Sequence, residues 1–132
     1  MTARDQLKKE TAKAARERHQ KEFRLIWRAV SEHMPLHEEV KFTSESGWRF
    51  DFAHTVAKVG IEIQGGIWRE KGAHNTGEAI LRDTRKARAA ALEGWVLFPI
   101  CPEDINLPNL CRIRDFVRTR AVQLADPYKE AR

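Results

Sequence analysis

With 132 residues the chain fits one domain with a real hydrophobic core and leaves little room for a second. A third of the residues are charged, and a formal net charge of +5 with a pI near 9.5 favours an anionic partner, of which nucleic acid is the usual one. No apolar run approaches the 18 or so residues of a membrane span, and no signal-peptide core is present.

Residues 5–32 read as one long helix, free of Gly and Pro and rich in Ala, Lys, Arg and Glu. Its first half is nearly all polar. Lys8, Lys9, Lys13, Arg16, Arg18, Lys21 and Arg24 make it strongly cationic, so residues 1–20 are expected to be a basic helical arm, either solvated or in contact with DNA. Asp5, Glu10, Glu17 and Glu22 argue against a transit sequence. Further along, Phe23, Ile26, Trp27 and Val30 fall at helical spacing and predict a packed face. Pro35 is expected to stop the helix.

Residues 37–42 form a candidate edge strand. His33 and His37 have the spacing of half a zinc site, but Pro35 between them and the absence of a Cys pair set that reading aside. Residues 49–53 and 60–64 alternate apolar and polar residues, which predicts two half-buried strands joined as a hairpin. Centring the hairpin on its loop opposes Phe52 to Ile61, Phe50 to Ile63, Asp51 to Glu62 and Arg49 to Gln64. One face is then wholly apolar, and the other carries two carboxylates side by side. Facing carboxylates need a positive charge between them: a divalent cation, or Arg49 on a merely solvated face.

Gly65 and Gly66 come next, then a polar loop with Arg69, Lys71 and His74. A helix over 77–92 is expected to turn Ile80, Leu81, Ala87, Ala90 and Ala91 inward, with Asp83 and Lys86 three apart as a structural ion pair. Residues 95–100 are all apolar and read as a fully buried strand, parallel to the one before the helix, with Pro99 ending it early or placing a bulge. A last helix over 110–124 directs Ile113, Phe116, Val117, Ala121 and Leu124 inward and Arg112, Arg114, Arg118 and Arg120 mostly outward. Cys101 and Cys111 read as two reduced thiols of an intracellular protein. The whole is a single α/β domain spanning 1–132, a small mixed sheet flanked by helices.

An α-β-β-β-α-β core with Asp51 in its second strand and Glu62-Ile63-Gln64 in its third resembles the PD-(D/E)XK, or restriction-endonuclease-like, nuclease superfamily. The stretch from Ile61 to Trp68, with His74, Gly77, Asp83, Lys86, Ala90 and the run Gly94 to Leu97, is similar to a phage and prophage subgroup. That subgroup is related to archaeal-type Holliday junction resolvases and very-short-patch-repair-like endonucleases. The resemblance covers about residues 20–100. It implies Mg²⁺-dependent hydrolysis of DNA phosphodiesters, with Mn²⁺ as a substitute. Asp51, Glu62 and the backbone carbonyl of Ile63 would bind the ion, and Gln64 would position a water. Glu22 would be the extra carboxylate of the first helix, with Lys71, Lys86 and His74 as accessory groups. Lys8, Lys9, Lys13, Arg16, Arg49 and Arg69 are the expected DNA contacts. Two departures stand out. Phe50 replaces the motif's Pro, and Gln64 replaces its Lys, so that an amide stands where an ammonium would stabilise charge. Junction resolution needs two cuts related by a two-fold axis, which implies a homodimer. A mismatch-repair or restriction-type nickase, and a basic DNA-binding protein with a degenerate site, are the competing readings.

Overall fold

The computed structural model describes residues 1–64 and 77–126. Among these residues three helices and four strands succeed one another as α1 (Ala3–Val30), β1 (His37–Lys41), β2 (Arg49–His54), β3 (Val59–Ile63), α2 (Gly77–Leu92), β4 (Val96–Ile100) and α3 (Leu107–Ala125), with a short 3₁₀ turn at Pro102–Asp104. The sheet has the order β1-β2-β3-β4. Its first three strands are antiparallel, and β4 runs parallel to β3. The expected α/β class and α-β-β-β-α-β order are therefore present, with α3 added.

Helix α1 begins with a capping box. The Thr2 hydroxyl accepts from the Asp5 N–H at 3.1 Å while the Asp5 carboxylate accepts from the Thr2 N–H at 3.0 Å. No residue before Ala15 is buried, and the helix meets the domain only from there onward. It ends two residues sooner than predicted. Glu32 and His33 take left-handed φ of 50° and 68°, and the indole of Trp27 donates to the Met34 carbonyl at 2.9 Å, so the chain turns before Pro35 is reached.

One face of the sheet is covered by α1 and α3. Phe23, Trp27 and Val30 meet Phe52, Ile61, Ile63, Ile100, Ile105 and Leu110 there. On the other face, Ala89 and Ala90 of α2 pack with Phe42, Phe50 and Ala53. The hairpin register is as expected at Phe52 and Ile61. The wholly apolar face is not. Phe50 and Phe52, two residues apart, enter opposite cores, and the interruption lies at Asp51. The neighbouring strand breaks at the same level. Glu38 pairs with Phe52 and Val40 with Phe50, while Glu39 between them has φ of 50°. A left-handed residue in a strand rotates the residues after it, and both strands change face together.

Three further expectations are corrected. Strand β4 is an edge strand and only Ile100 in it is buried. It continues through Pro99, because the Val96 N–H and the Ile100 carbonyl point at β3, which turns Pro99 to the outer side where no N–H is needed. On α2, Ile80 and Leu81 are exposed and the small residues Ala89 and Ala90 carry the packing. On α3, Phe116 and Leu124 are exposed while two arginines expected outside turn inward. Arg114 donates to the Val30 carbonyl at 3.0 Å, closing the end of α1, and Arg120 donates to Ala57 and Gly94 carbonyls at 2.6 and 2.8 Å. The helix also starts earlier than expected, because Asn106 caps the N–H of Asn109 and Pro108 suits the first turn.

Candidate active site

Where β2 and β3 diverge beyond Phe52 and Ile61, the predicted opposition of Asp51 to Glu62 does not form as a ladder pair. The Asp51 carboxylate instead lies between the strands, and its Oδ2 accepts the backbone N–H of Ile63 at 2.8 Å. Its side chain is 3% exposed. A carboxylate so buried needs compensation. The second oxygen receives it from α1: Arg16 Nη2 lies 2.7 Å from Oδ1, and the Gln20 amide stands at 3.5 Å. Burial works against the charge on Arg16, but the hydrogen bond and charge of Asp51, with help from Glu39 and Glu62, raise its pKa overall.

Glu62 lies on the opposite side of β3 from Ile61 and Ile63, towards α2. Lys86 reaches down from that helix, donating to Glu62 Oε1 and, at 2.8 Å, to the carbonyl of Arg49. Both side chains are nearly enclosed, 16% exposed for Glu62 and 19% for Lys86. The Lys86 ammonium also sits 5.9 Å from the centre of the Phe50 ring. Desolvation pushes the pKa of Glu62 up, the Lys86 hydrogen bond draws it back, and the nearby Asp51 charge pushes it up further. The expected direct opposition of the two carboxylates is thus absent, and the charge of Asp51 reaches Glu62 only as a lesser influence.

Both acids open onto one cleft of about 790 Å³. Arg16 and His19 of α1, Arg82 and Lys86 of α2, and Arg49 and Gln64 line it beside Asp51 and Glu62. Gln64 is fixed at the end of β3 by donating its N–H to the Ile100 carbonyl at 2.8 Å. Arg49 does not neutralise the acids, as one reading expected. It donates to the Glu39 carbonyl at 3.2 Å, and the neutralising charges come from Arg16 and Lys86. Nor does Lys86 pair with Asp83; it turns to Glu62, leaving Asp83 exposed on the cleft wall.

Glu22 is not brought to the acids. Its carboxylate is 49% exposed and 4.0 Å from His19 Nδ1, on a side of α1 away from Phe23 and Trp27. The helix presents Arg16, His19 and Gln20 to the site instead. Lys8, Lys9 and Lys13 stand exposed on the arm, with Lys9 two turns before Arg16 on the same side. Arg69, Lys71 and His74 lie outside the described residues. Sequence reasoning does not find Gln20, His19 or the contact of Arg16 with Asp51. Their signal is nonetheless present: the packed stripe Phe23–Trp27–Val30, continued backwards at helical spacing, passes through Gln20 and Arg16.

As a cation site the arrangement fits the chemistry of a hard divalent ion. Two carboxylates line one cleft, and each already holds a cationic group. Among the described residues no set of three or more His, Cys, Asp or Glu side chains gathers, so backbone oxygen and water would complete the shell. Comparison with protein-family models, with curated proteins and with solved structures gave no match to this chain. Among the described residues no helix is long and apolar enough to cross a membrane.

Proposed function

We propose that the protein is a divalent-metal-dependent DNA endonuclease on a restriction-endonuclease-like core, of the Holliday junction resolvase type. The observation that carries this reading is the pair Asp51 and Glu62, enclosed on adjacent strands and lining a single cleft with basic walls. Asp51 and Glu62 would hold Mg²⁺ or Mn²⁺, with the Ile63 carbonyl as a further oxygen. When bound, the ion would lower the pKa of a coordinated water and neutralise charge on the phosphate.

The residues of the chain supply the rest. Gln64, which lines the same cleft, would orient a water through its amide. Lys86 provides the ammonium that the motif position lacks, since its Nζ already lies against Glu62. Arg49, Arg82 and the arm residues Lys8, Lys9 and Lys13 meet the DNA backbone, a sequence-independent attraction suited to reading shape. A two-fold dimer would place two such clefts for paired cuts.

The test is cleavage of junction, flap, mismatched and plain duplex DNA in Mg²⁺ by wild type, Asp51→Asn and Glu62→Gln. Both variants should lose cleavage while remaining folded and DNA-bound, and undiminished cleavage by either would sink the assignment. Symmetric paired nicks at junctions favour a resolvase; a fixed sequence at every cut favours a mismatch-repair or restriction-type nickase.

One observation favours a second reading. Both acids are already neutralised by the chain's own Arg16 and Lys86, as in a basic DNA-binding protein whose nuclease site has lapsed. Titration with Mn²⁺ separates the two, because a lapsed site binds no ion that depends on Asp51.

A further inference from the structure

We infer that Arg16 is the chain's own occupant of the cation position at Asp51, and that a divalent ion enters by displacing it. The inference rests on the metal-site reading above and concerns a residue that the sequence marked only as an expected DNA contact. Of the two Asp51 oxygens, Oδ2 accepts the Ile63 N–H at 2.8 Å, which holds the carboxylate between the strands. Oδ1 accepts from Arg16 Nη2 at 2.7 Å, with the Gln20 amide at 3.5 Å. A divalent ion and the guanidinium therefore compete for the charge of one buried carboxylate.

The contact is built to exchange. Asp51 is 3% exposed but the Arg16 side chain is 58% exposed, so one partner is fixed in the fold and the other reaches in from solvent. The bond is made by a single nitrogen rather than by the two-pronged geometry in which arginine binds carboxylate most firmly. Its other acidic neighbour, Glu39, is 3.8 Å away and itself half exposed. Arg16 also sits beside Ala15, the first buried residue of α1, at the root of the overhanging arm. Rotation of its long side chain requires no repacking. Once displaced, the guanidinium remains in a cleft with basic walls, a side chain in search of an anion, and the phosphate of a bound strand is the matching group.

Removing the competitor should tighten metal binding, whereas a merely structural Arg16 would leave it unchanged or weaken it. The experiment is calorimetric titration of the full chain with Mn²⁺ alone, comparing wild type, Arg16→Met and Arg16→Gln. The Gln variant keeps a hydrogen-bond donor for Asp51 without the charge, which guards against loss of the fold; far-UV circular dichroism checks both. We expect Mn²⁺ to bind on the order of tenfold more tightly to both variants, the scale of one partly exposed ion pair, and the gain to vanish when Asp51→Asn is added. Unchanged or weaker affinity in folded variants, with wild type binding, overturns the role of Arg16 and leaves the metal site standing. No Mn²⁺ binding by any of the proteins overturns both.

Discussion

The Lys86 ammonium bonds the Glu62 carboxylate on β3 and the Arg49 carbonyl on β2, so that one side chain of α2 spans the place where the two strands part. On the proposed reading it supplies the positive charge that the Gln64 amide cannot. Lys86→Met should lower DNA cleavage on the order of 10²-fold, as loss of one oriented cationic donor does. Adding Gln64→Lys to that variant should restore part of the rate. Steady-state kinetics on a junction substrate would decide it, and a double variant no better than Lys86→Met would remove the exchangeability of the two positions.

The raised pKa of Glu62 has a consequence for stability. Its folded value exceeds the unfolded one of about 4.3, so the folded state binds the proton more tightly. Stability from this group is thus fully present below the unfolded value and declines as pH rises through the folded one. Urea unfolding of wild type and Glu62→Gln from pH 4 upward should show the wild type losing stability relative to the variant in the window just above the usual glutamate range. A difference independent of pH would contradict this.

Gly60 has no room for a side chain. A Cβ there would lie 2.5 Å from Cδ2 of the Phe50 ring, on a side chain buried beneath α2. Gly60→Ala should cost about 1–3 kcal/mol from overpacking. Because the conflict is with one ring, Gly60→Ala combined with Phe50→Leu should be less unstable than the sum of the two changes, which a double-mutant cycle in urea would read.

Glu39 tests the change of face in β1. With φ of 50°, a β-branched residue there should be costly, and Glu39→Val is expected to lose about 1–2 kcal/mol. Glu39→Gly should stay within about 0.5 kcal/mol of wild type, because relief of the left-handed strain offsets the added freedom of the unfolded chain. Its ion pair with Arg16 at 3.8 Å is exposed on both sides and adds little. Thermal melts of the two variants would distinguish them clearly.

Much of this architecture could be read from residue patterns. The 3.6-residue stripe of Phe23, Trp27 and Val30 marked the packed half of α1, and period-two alternation located β2 and β3 and their register at Phe52 and Ile61. What failed was the assumption that alternation runs on unbroken. Nothing in the string Arg49-Phe50-Asp51-Phe52 announces that its two aromatics part company, a change that goes with a left-handed torsion at Glu39 in the neighbouring strand. The site was legible as a pair of acids, but its neutralising partners were not: they come from helices 35 and 24 residues away in sequence, and only tertiary packing selects Arg16 over Arg49, and Glu62 over Asp83 as the partner of Lys86. Charged side chains carry little positional information in the sequence, because a solvated helix face tolerates them almost anywhere. In α3 the same uncertainty hid Arg114 and Arg120, which serve as caps for carbonyls of other elements.

The parting of Phe50 and Phe52 fixes how the site is held. Asp51 stands between a ring anchored under α2 and a ring anchored under α1. Its bond to the Ile63 N–H therefore spans the junction of the two cores. The Ile63 amide should then exchange its hydrogen for deuterium at the slow rate set by global unfolding, while amides of the overhanging arm exchange early. The acids would share the lifetime of the whole fold.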